Sequence, residues 1–415
     1  MMALVLPFKA VRPQQKFAAQ VAALPYDVMT REEAKKAVGG SPLSFMHVEK
    51  SEVDVPDGTP THDDLIYLTA KRNFIDMRIK GILIQDEKPC FYVYRQKMGS
   101  RIQTGIVGLM SAKDYDEGKI KKHELTRKDK EEDRIRHIDT VNAQTGPVFI
   151  AYRERPKLDE IVRQITTGAP EYDFVSDDGI AHTVWVVEDT QTVENIKKEF
   201  HAVDTLYIAD GHHRAAAAAA VAKKRRTRGT PGDGLPECEL VLAVFFPHSQ
   251  LKVMDYNRAV KDLNGLTPDQ FIEKISSAFT VTGDFQERAP QQLHDFGMYL
   301  GGRWYKLTAR RGTYDETDPV ASLDASILQE NLLGPVLGIK DPRTDERIKF
   351  IGGIRGMDEL EKLVNQEGYA VSFSLYPTTM EQIIRVADAG AIMPPKSTWF
   401  EPKLRSGLFT HKLDG

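Results

Sequence analysis

The apolar run Leu206-Tyr207-Ile208-Ala209, followed at once by Asp210-Gly211 and then by six consecutive alanines, Ala215 to Ala220, constrains this chain more than any other stretch. Alanine is the strongest helix former, and a short apolar run closed by a glycine turn reads as a buried strand. Strand, tight turn and helix are therefore predicted here. Such a turn leaves the first helix amides without intrahelical partners and directs the positive end of the helix dipole at whatever lies beyond the strand, which favours a phosphate. Gly211 permits close backbone approach. His212, His213 and Arg214 add donors, and a guanidinium can grip phosphate oxygens through two parallel hydrogen bonds. Asp210, at the strand end, suits a Mg2+ ion or the orientation of a hydroxyl. The plain alternative is that Asp210 caps the helix and the histidines pack. A zinc ion shared by His212 and His213 is awkward, because neighbours on a helix diverge by about 100 degrees.

The rest of the chain alternates helical and strand signals. Thr30 with Glu33 makes a capping box, and His62 to Lys80 has helical periodicity ending at Gly81. Two β-like runs follow, Cys90 to Arg95 and Gln103 to Met110, and then a charge-dense stretch from Lys113 to His137. Further on come the apolar run Pro147 to Tyr152, a helix around Leu158 to Ile165, strand-like His182 to Val187, and a helix from Val193 to Phe200. Lys223 to Gly234 is basic and then rich in Gly, Pro and Thr, so an exposed loop is expected. Beyond it lie a strand at Leu240 to Phe246, a helix opened by Thr267-Pro268-Asp269-Gln270, and strands at Ile348 to Ile351 and Tyr369 to Leu375. Three units are expected: 1–105 as an amino-terminal α/β unit, 106–230 as a nucleotide-binding core, and 231–415 as a carboxy-terminal α/β half completing the cleft.

Two further segments carry chemistry. Lys122-His123-Glu124-Leu125 precedes an amphipathic helix with Ile135, Ile138 and Val141, which places the pair in a loop. Phosphoryl transfer to an alcohol needs a carboxylate near the acceptor hydroxyl, and Glu124 is a candidate, although solvated glutamates are common. Near the end, Met393-Pro394-Pro395-Lys396-Ser397-Thr398 reads as an extended segment preset by two prolines. It presents Lys396 and the hydroxyls of Ser397 and Thr398 to an anion, or is simply an edge strand. Tyr26, Asp27, Ser44 and His47 read first as structural, and Arg134 as one half of an intrahelical salt bridge.

Bulk properties exclude several classes. The 415 residues carry 56 basic and 60 acidic side chains, a net charge of -4, so a polyanion such as DNA is not expected as the main partner. Two cysteines, Cys90 and Cys238, lack metal-type spacing and argue for a reducing cytoplasm rather than a disulfide scaffold. No run approaches the roughly 18 apolar residues of a membrane span, and Met1 to Pro7 is soon interrupted by Lys9 and Arg12, so neither a signal nor a membrane segment is expected.

Taken in order, His123-Glu124, the apolar run from Pro147, Asp210-Gly211-His212-His213-Arg214 and Pro394 to Thr398 resemble the free serine kinases of the ParB and sulfiredoxin-like superfamily. The chain is also similar, over nearly its full length, to a bacterial and archaeal family of unknown function marked by Leu24-Pro25-Tyr26-Asp27-Val28, the GHHR turn and the MPPKST end. The resemblance implies an α/β fold of mixed sheets, with a ParB/sulfiredoxin-like core and additional α/β units. It implies ATP or ADP as phosphoryl donor, Mg2+, and L-serine as acceptor. It also implies Glu124 as general base, with His123 beside it in the catalytic set, and Asp210 as Mg2+ partner or second acid. Phosphate contacts fall to Gly211, His212, His213 and Arg214, and substrate contacts to Lys396, Ser397 and Thr398. The chain departs from the kinase pattern in having one Glu after His123 rather than two. Rival readings are a ParB-like switch that binds and hydrolyses CTP, and a metal-dependent hydrolase using His123, His212 and His213.

Overall fold

The computed structural model describes residues 4–226 and 235–414, which fall into two compact units. The first joins 1–251 to the final segment 402–415, and the second is 252–401. The architecture is mixed α/β, as expected.

The first unit is built on a nine-stranded sheet. Its order runs Ile120–Lys121, Leu206–Asp210, Val148–Tyr152, Leu240–Pro247, Arg101–Ser111, Phe91–Met98, Ala181–Val187 and Tyr172–Val175, with Val5–Leu6 pairing beside Arg101–Ser111. Two pairs are parallel, Ile120–Lys121 with Leu206–Asp210 and Val148–Tyr152 with Leu240–Pro247; the rest are antiparallel. The central strands Val148–Tyr152 and Leu240–Pro247 are buried at every position, which explains why they read as unbroken apolar runs rather than alternating ones.

The alanines do what their size allows. In the helix His212–Arg226, Ala215, Ala217, Ala218, Ala219 and Ala222 join the core cluster of the sheet, and the same helix packs along Lys128–Val141. Small side chains permit both approaches at once. The Thr30 capping box is present, and the helix Asp64–Ile79 ends before Gly81 at φ +67°. The stretch expected as a loop from Lys223 is helical as far as Arg226, and its remainder, 227–234, lies outside the described residues.

The expected unit boundary at 105 is not observed, because it falls inside the strand Arg101–Ser111. That strand pairs with Phe91–Met98 on one side and Leu240–Pro247 on the other, so the first hundred residues and the following core share one sheet. The composition change after Met110 marks surface helices rather than a new unit. The boundary expected at 231 is likewise displaced, and the closing segment 402–415 returns to the first unit. There His411–Lys412 pairs with Ala143–Gln144, and Ser406 bridges to Ala23.

The second unit holds a six-stranded antiparallel sheet, in the order Phe279–Gly283, Arg303–Ala309, Asp295–Leu300, Val371–Leu375, Tyr256–Val260 and Ile348–Gly352. The helix Pro268–Ile275 opens with the expected capping box from Thr267 and Gln270. Phe271, Ile275, Phe296, Phe373 and Leu332 lie in its core. No helix among the described residues is long and apolar enough to cross a membrane.

Candidate functional site

Asp210 ends its strand with an irregularity that matters for the site. Leu206, Tyr207 and Ile208 oppose Tyr152, Ala151 and Ile150, but Asp210 opposes Phe149, so Ala209 is an inserted residue. Such a bulge re-aims the side chains beyond it. Gly211 follows at φ +87°, a conformation that side-chain-bearing residues adopt at a cost, and the helix starts at His212.

The Asp210 carboxylate accepts from the Gly211 amide at 2.8 Å through Oδ1 and from Lys403 Nζ at 2.7 Å through Oδ2. Burial by itself raises its pKa, yet the Lys403 ammonium and the Gly211 N–H outweigh burial and hold the carboxyl below its ordinary range. It is therefore ionised at neutral pH. A narrow cleft opens here, lined by Asp27, Pro147, Asp210, Gly211, Arg214 and Lys403 among others. Mg2+ takes oxygen ligands, commonly one or two carboxylates together with substrate phosphates. The carboxylates of Asp27 and Asp210 on one cleft fit that requirement.

Arg214 lines the same cleft, but its guanidinium has a partner. Nη2 donates to Glu49 Oε1 at 2.7 Å, with the two side chains 12% and 2% exposed. Thr145 Oγ1 donates to the other carboxylate oxygen at 2.5 Å. Burial pushes the Glu49 pKa up; Arg214, Arg134 and His137 pull it down further, and the net result is a lowered value. Gly146 makes this arrangement possible, since a methyl group there would collide with the Arg214 guanidinium and lie 2.7 Å from Ser406 Oγ. Tyr26 completes the cluster, with Arg134 over its ring at 4.0 Å and Arg214 at 5.5 Å. Arg134 also pairs with Asp133, as a structural reading of it required.

The two histidines of the turn diverge as helical geometry dictates. His213 points outward, and its Nε2 accepts the Arg127 amide at 3.0 Å, just before the helix Lys128–Val141. His212 turns inward and is buried. There it meets His123 edge to face, with ring centroids 4.5 Å apart. The topology accounts for the meeting: Ile120–Lys121 runs parallel to Leu206–Tyr207, so the loop after the one lies beside the turn after the other. Glu124 joins the pair, and a donor atom from each of His123, Glu124 and His212 lies within 4.8 Å of the others.

Both ring nitrogens of His123 and Nε2 of His212 are buried without a hydrogen-bond partner. Leaving a buried polar atom unsatisfied costs about 1–3 kcal/mol, so three in contact demand an explanation. Burial pushes His123 down to about 4, against the smaller opposing influence of Asp210 and the nearby Ile208 carbonyl. Burial also drives His212 well below the ordinary imidazole range, and the neighbouring His123 adds to that effect. Both rings are neutral at pH 7.

Of the residues expected at the site, the structure gathers His123, Glu124 and His212 in one cluster, and Asp210, Gly211 and Arg214 on one cleft. His213 is not part of the metal-type trio; Glu124 takes the place that the hydrolase reading gave it. Lys396, Ser397 and Thr398 belong to the second unit. Their segment is a turn rather than an extended strand: Lys396 has φ +59°, and Ser397 Oγ donates back to the Pro394 carbonyl at 2.7 Å. Only at Trp399–Phe400 does a strand begin, paired with Val253–Met254. The sequence reading missed Lys403, Glu49 and Gly146. Gly146 carried a faint signal as the glycine just before the Pro147 run. Lys403 and Glu49 carried none.

Among solved structures, a conserved hypothetical protein from Pyrococcus furiosus is 14% identical, with 72% of this chain and 93% of that chain covered and a TM-score of 0.36. A free serine kinase in complex with AMP is 13% identical, covering 72% of this chain and 90% of that chain at a TM-score of 0.36. SbnI with a C-terminal truncation, from Staphylococcus aureus, is 11% identical, covering 71% and 82% at a TM-score of 0.38. These likenesses are too distant to set residue against residue. The comparison with curated proteins returns no match. The sequence does match the family DUF1015, described as a protein of unknown function, over residues 5–326, and the chain belongs to that family.

Proposed function

We propose that this protein binds a nucleoside phosphate at the Asp210-Gly211 turn and transfers a phosphoryl group to a small hydroxy amino acid, with free L-serine as the acceptor. The observation that carries the reading is the cleft at the strand end. There an ionised Asp210 paired with Lys403 lies at the amino end of a fifteen-residue helix, and Arg214 lines the same wall. Phosphoryl transfer asks a protein mainly for positioned cations, a metal-binding carboxylate and a proton acceptor. Lys403 and the first helix amides supply positive charge for phosphate oxygens, while Arg214, committed to Glu49, adds its charge from behind the wall. A bound Mg2+ would neutralise phosphate charge, with Asp210 as its protein ligand.

In this reading Glu124 takes the acceptor hydroxyl's proton, the neutral His123 beside it assists, and ATP or ADP is the donor. The order of the His123-Glu124 and Asp210 to Arg214 motifs, which resembles that of free serine kinases, supports these finer assignments. The test is direct. Purified chain is incubated with Mg2+, L-serine and each of ATP, ADP, GTP and CTP, and O-phospho-L-serine is measured by mass spectrometry. Phosphoserine is expected with an adenine nucleotide; its absence with all four removes the proposal. Glu124→Gln is expected to lose turnover while nucleotide affinity stays within about twofold, because a proton acceptor acts in the chemical step.

A further inference from the structure

We infer that His123, Glu124 and His212 form a binding site for a single divalent transition metal ion of the zinc type, separate from the oxygen-lined cleft at Asp210. The site does not rest on phosphoryl transfer, and a chain that holds the ion uses Glu124 as ligand rather than as proton acceptor; the inference stands on the donor set and its burial. Each of the three residues offers one ligand atom, and the three atoms lie within 4.8 Å of one another. Tetrahedral zinc, with ligand bonds of about 2.0–2.1 Å, needs its donors about 3.3 Å apart. The difference is closed by small rotations of an imidazole and a glutamate side chain.

Edge-to-face packing of two neutral rings explains why the imidazoles touch, but not why their nitrogens are left unsatisfied. Buried polar atoms in native proteins almost always find partners. Here His212 Nε2 and both nitrogens of His123 lack a hydrogen bond of good geometry, although the Ile208 carbonyl lies near the His123 ring, and the adjoining carboxylate is the third member of the group. A metal ion satisfies one nitrogen of each ring, since a neutral imidazole carries one lone pair and one N–H; the N–H of His123 is then left for an acceptor such as the nearby Ile208 carbonyl.

The donor types select the ion. Two imidazoles and a carboxylate match sites in which zinc keeps three protein ligands and one open position, and Fe2+ or Mn2+ share that preference in six-coordinate form. Mg2+ and Ca2+ take oxygen ligands and are disfavoured by the two nitrogens. The surroundings fit as well. The ionised Asp210 exerts a favourable field on both histidines, and the Ile208 carbonyl lies beside the His123 ring, where ligating histidines commonly direct their second nitrogen.

The experiment uses the full chain, stripped with dipicolinate and titrated with Co2+. A single Co2+ per chain is expected, with the visible absorption of a four- or five-coordinate ion carrying nitrogen ligands, and Zn2+ is expected to displace it stoichiometrically. His123→Asn, His212→Asn and Glu124→Gln are each expected to weaken Co2+ by about tenfold or more, while His201→Ala, exposed at the end of the helix Thr190–His201 and outside the trio, leaves it unchanged. Far-UV circular dichroism establishes that each variant is folded. Should a buried histidine variant fail to fold, the half-buried loop residue Glu124 gives the same readout. The inference is overturned by wild-type chain that takes up less than about one-tenth of an equivalent, or by folded variants that bind Co2+ as tightly as wild type. None of these readouts depends on serine or nucleotide, so loss of the kinase reading would leave the metal result standing, and the reverse.

Discussion

The buried pair Arg214–Glu49 sets up the sharpest energetic test of how the Gly211 helix is anchored. Arg214→Ala removes the guanidinium that donates to Glu49 at 2.7 Å and leaves a carboxylate that is only 2% exposed. Breaking a buried pair by removing one partner costs about 3–5 kcal/mol, most of it from the stranded charge. Arg134 and Thr145 still face Glu49, so the lower end, about 3 kcal/mol, is expected. Glu49→Gln combined with Arg214→Ala should cost less than the sum of the single changes, with a coupling of about 2 kcal/mol. Among the three tryptophans of the chain only Trp185 lies in the first unit, so in a Trp304→Phe, Trp399→Phe background its fluorescence in urea reports that unit alone. The pH dependence supplies a second check. Glu49 is held below its ordinary value in the folded chain, so its contribution is present above about pH 4.3 and is lost as pH falls through the lower folded value. In Arg214→Ala the sign reverses: burial without the partner raises the carboxyl, and the variant's deficit shrinks as acid protonates it. A coupling under about 0.5 kcal/mol, or a deficit that does not change between neutral and acid pH, refutes this reasoning.

Three other outcomes follow from the same geometry. Gly211→Ala forces an alanine to φ +87° and is expected to destabilise the first unit by about 1–2 kcal/mol, read in the same urea assay. Lys403→Met leaves Asp210 without its cation; nucleotide affinity by calorimetry is expected to fall about tenfold or more, and an unchanged affinity would place the phosphates elsewhere. His182 is pushed down to about 3 by burial and then by Arg405, so the folded chain keeps it neutral while the unfolded chain takes up a proton below about pH 6.5. Wild type is therefore expected to lose on the order of 2 kcal/mol between about pH 6.5 and about pH 5 that His182→Gln does not lose, measured by urea unfolding at each pH.

Local chemistry made part of this fold legible and topology hid the rest. The alanine run, the glycine turn and the capping boxes at Thr30 and Thr267 are decided within a few residues, and each appears where composition placed it. Strands buried on both faces were equally plain. The two-residue strand Ile120–Lys121 was not, being too short to show a pattern, yet it is what carries His123 to His212. Nothing in a charged chain marks Lys403 as the partner of Asp210 across 193 residues, or Glu49 as that of Arg214 across 165. The turn at Pro395-Lys396 was misread because two prolines favour extension, whereas Lys396 adopts a left-handed conformation. The unit boundary at 105 failed for a related reason: a change from apolar to charged residues marks an element leaving the core, and only pairing tells whether the sheet continues.

Diffraction from crystals grown with ADP and Mg2+ bears most directly on the anion pocket. Phosphate density is expected against the amides of His212 and His213, within hydrogen-bonding distance of Lys403, with the ion on Asp210. Nucleotide bound well away from the Gly211 turn, with that cleft filled only by solvent, would contradict that placement.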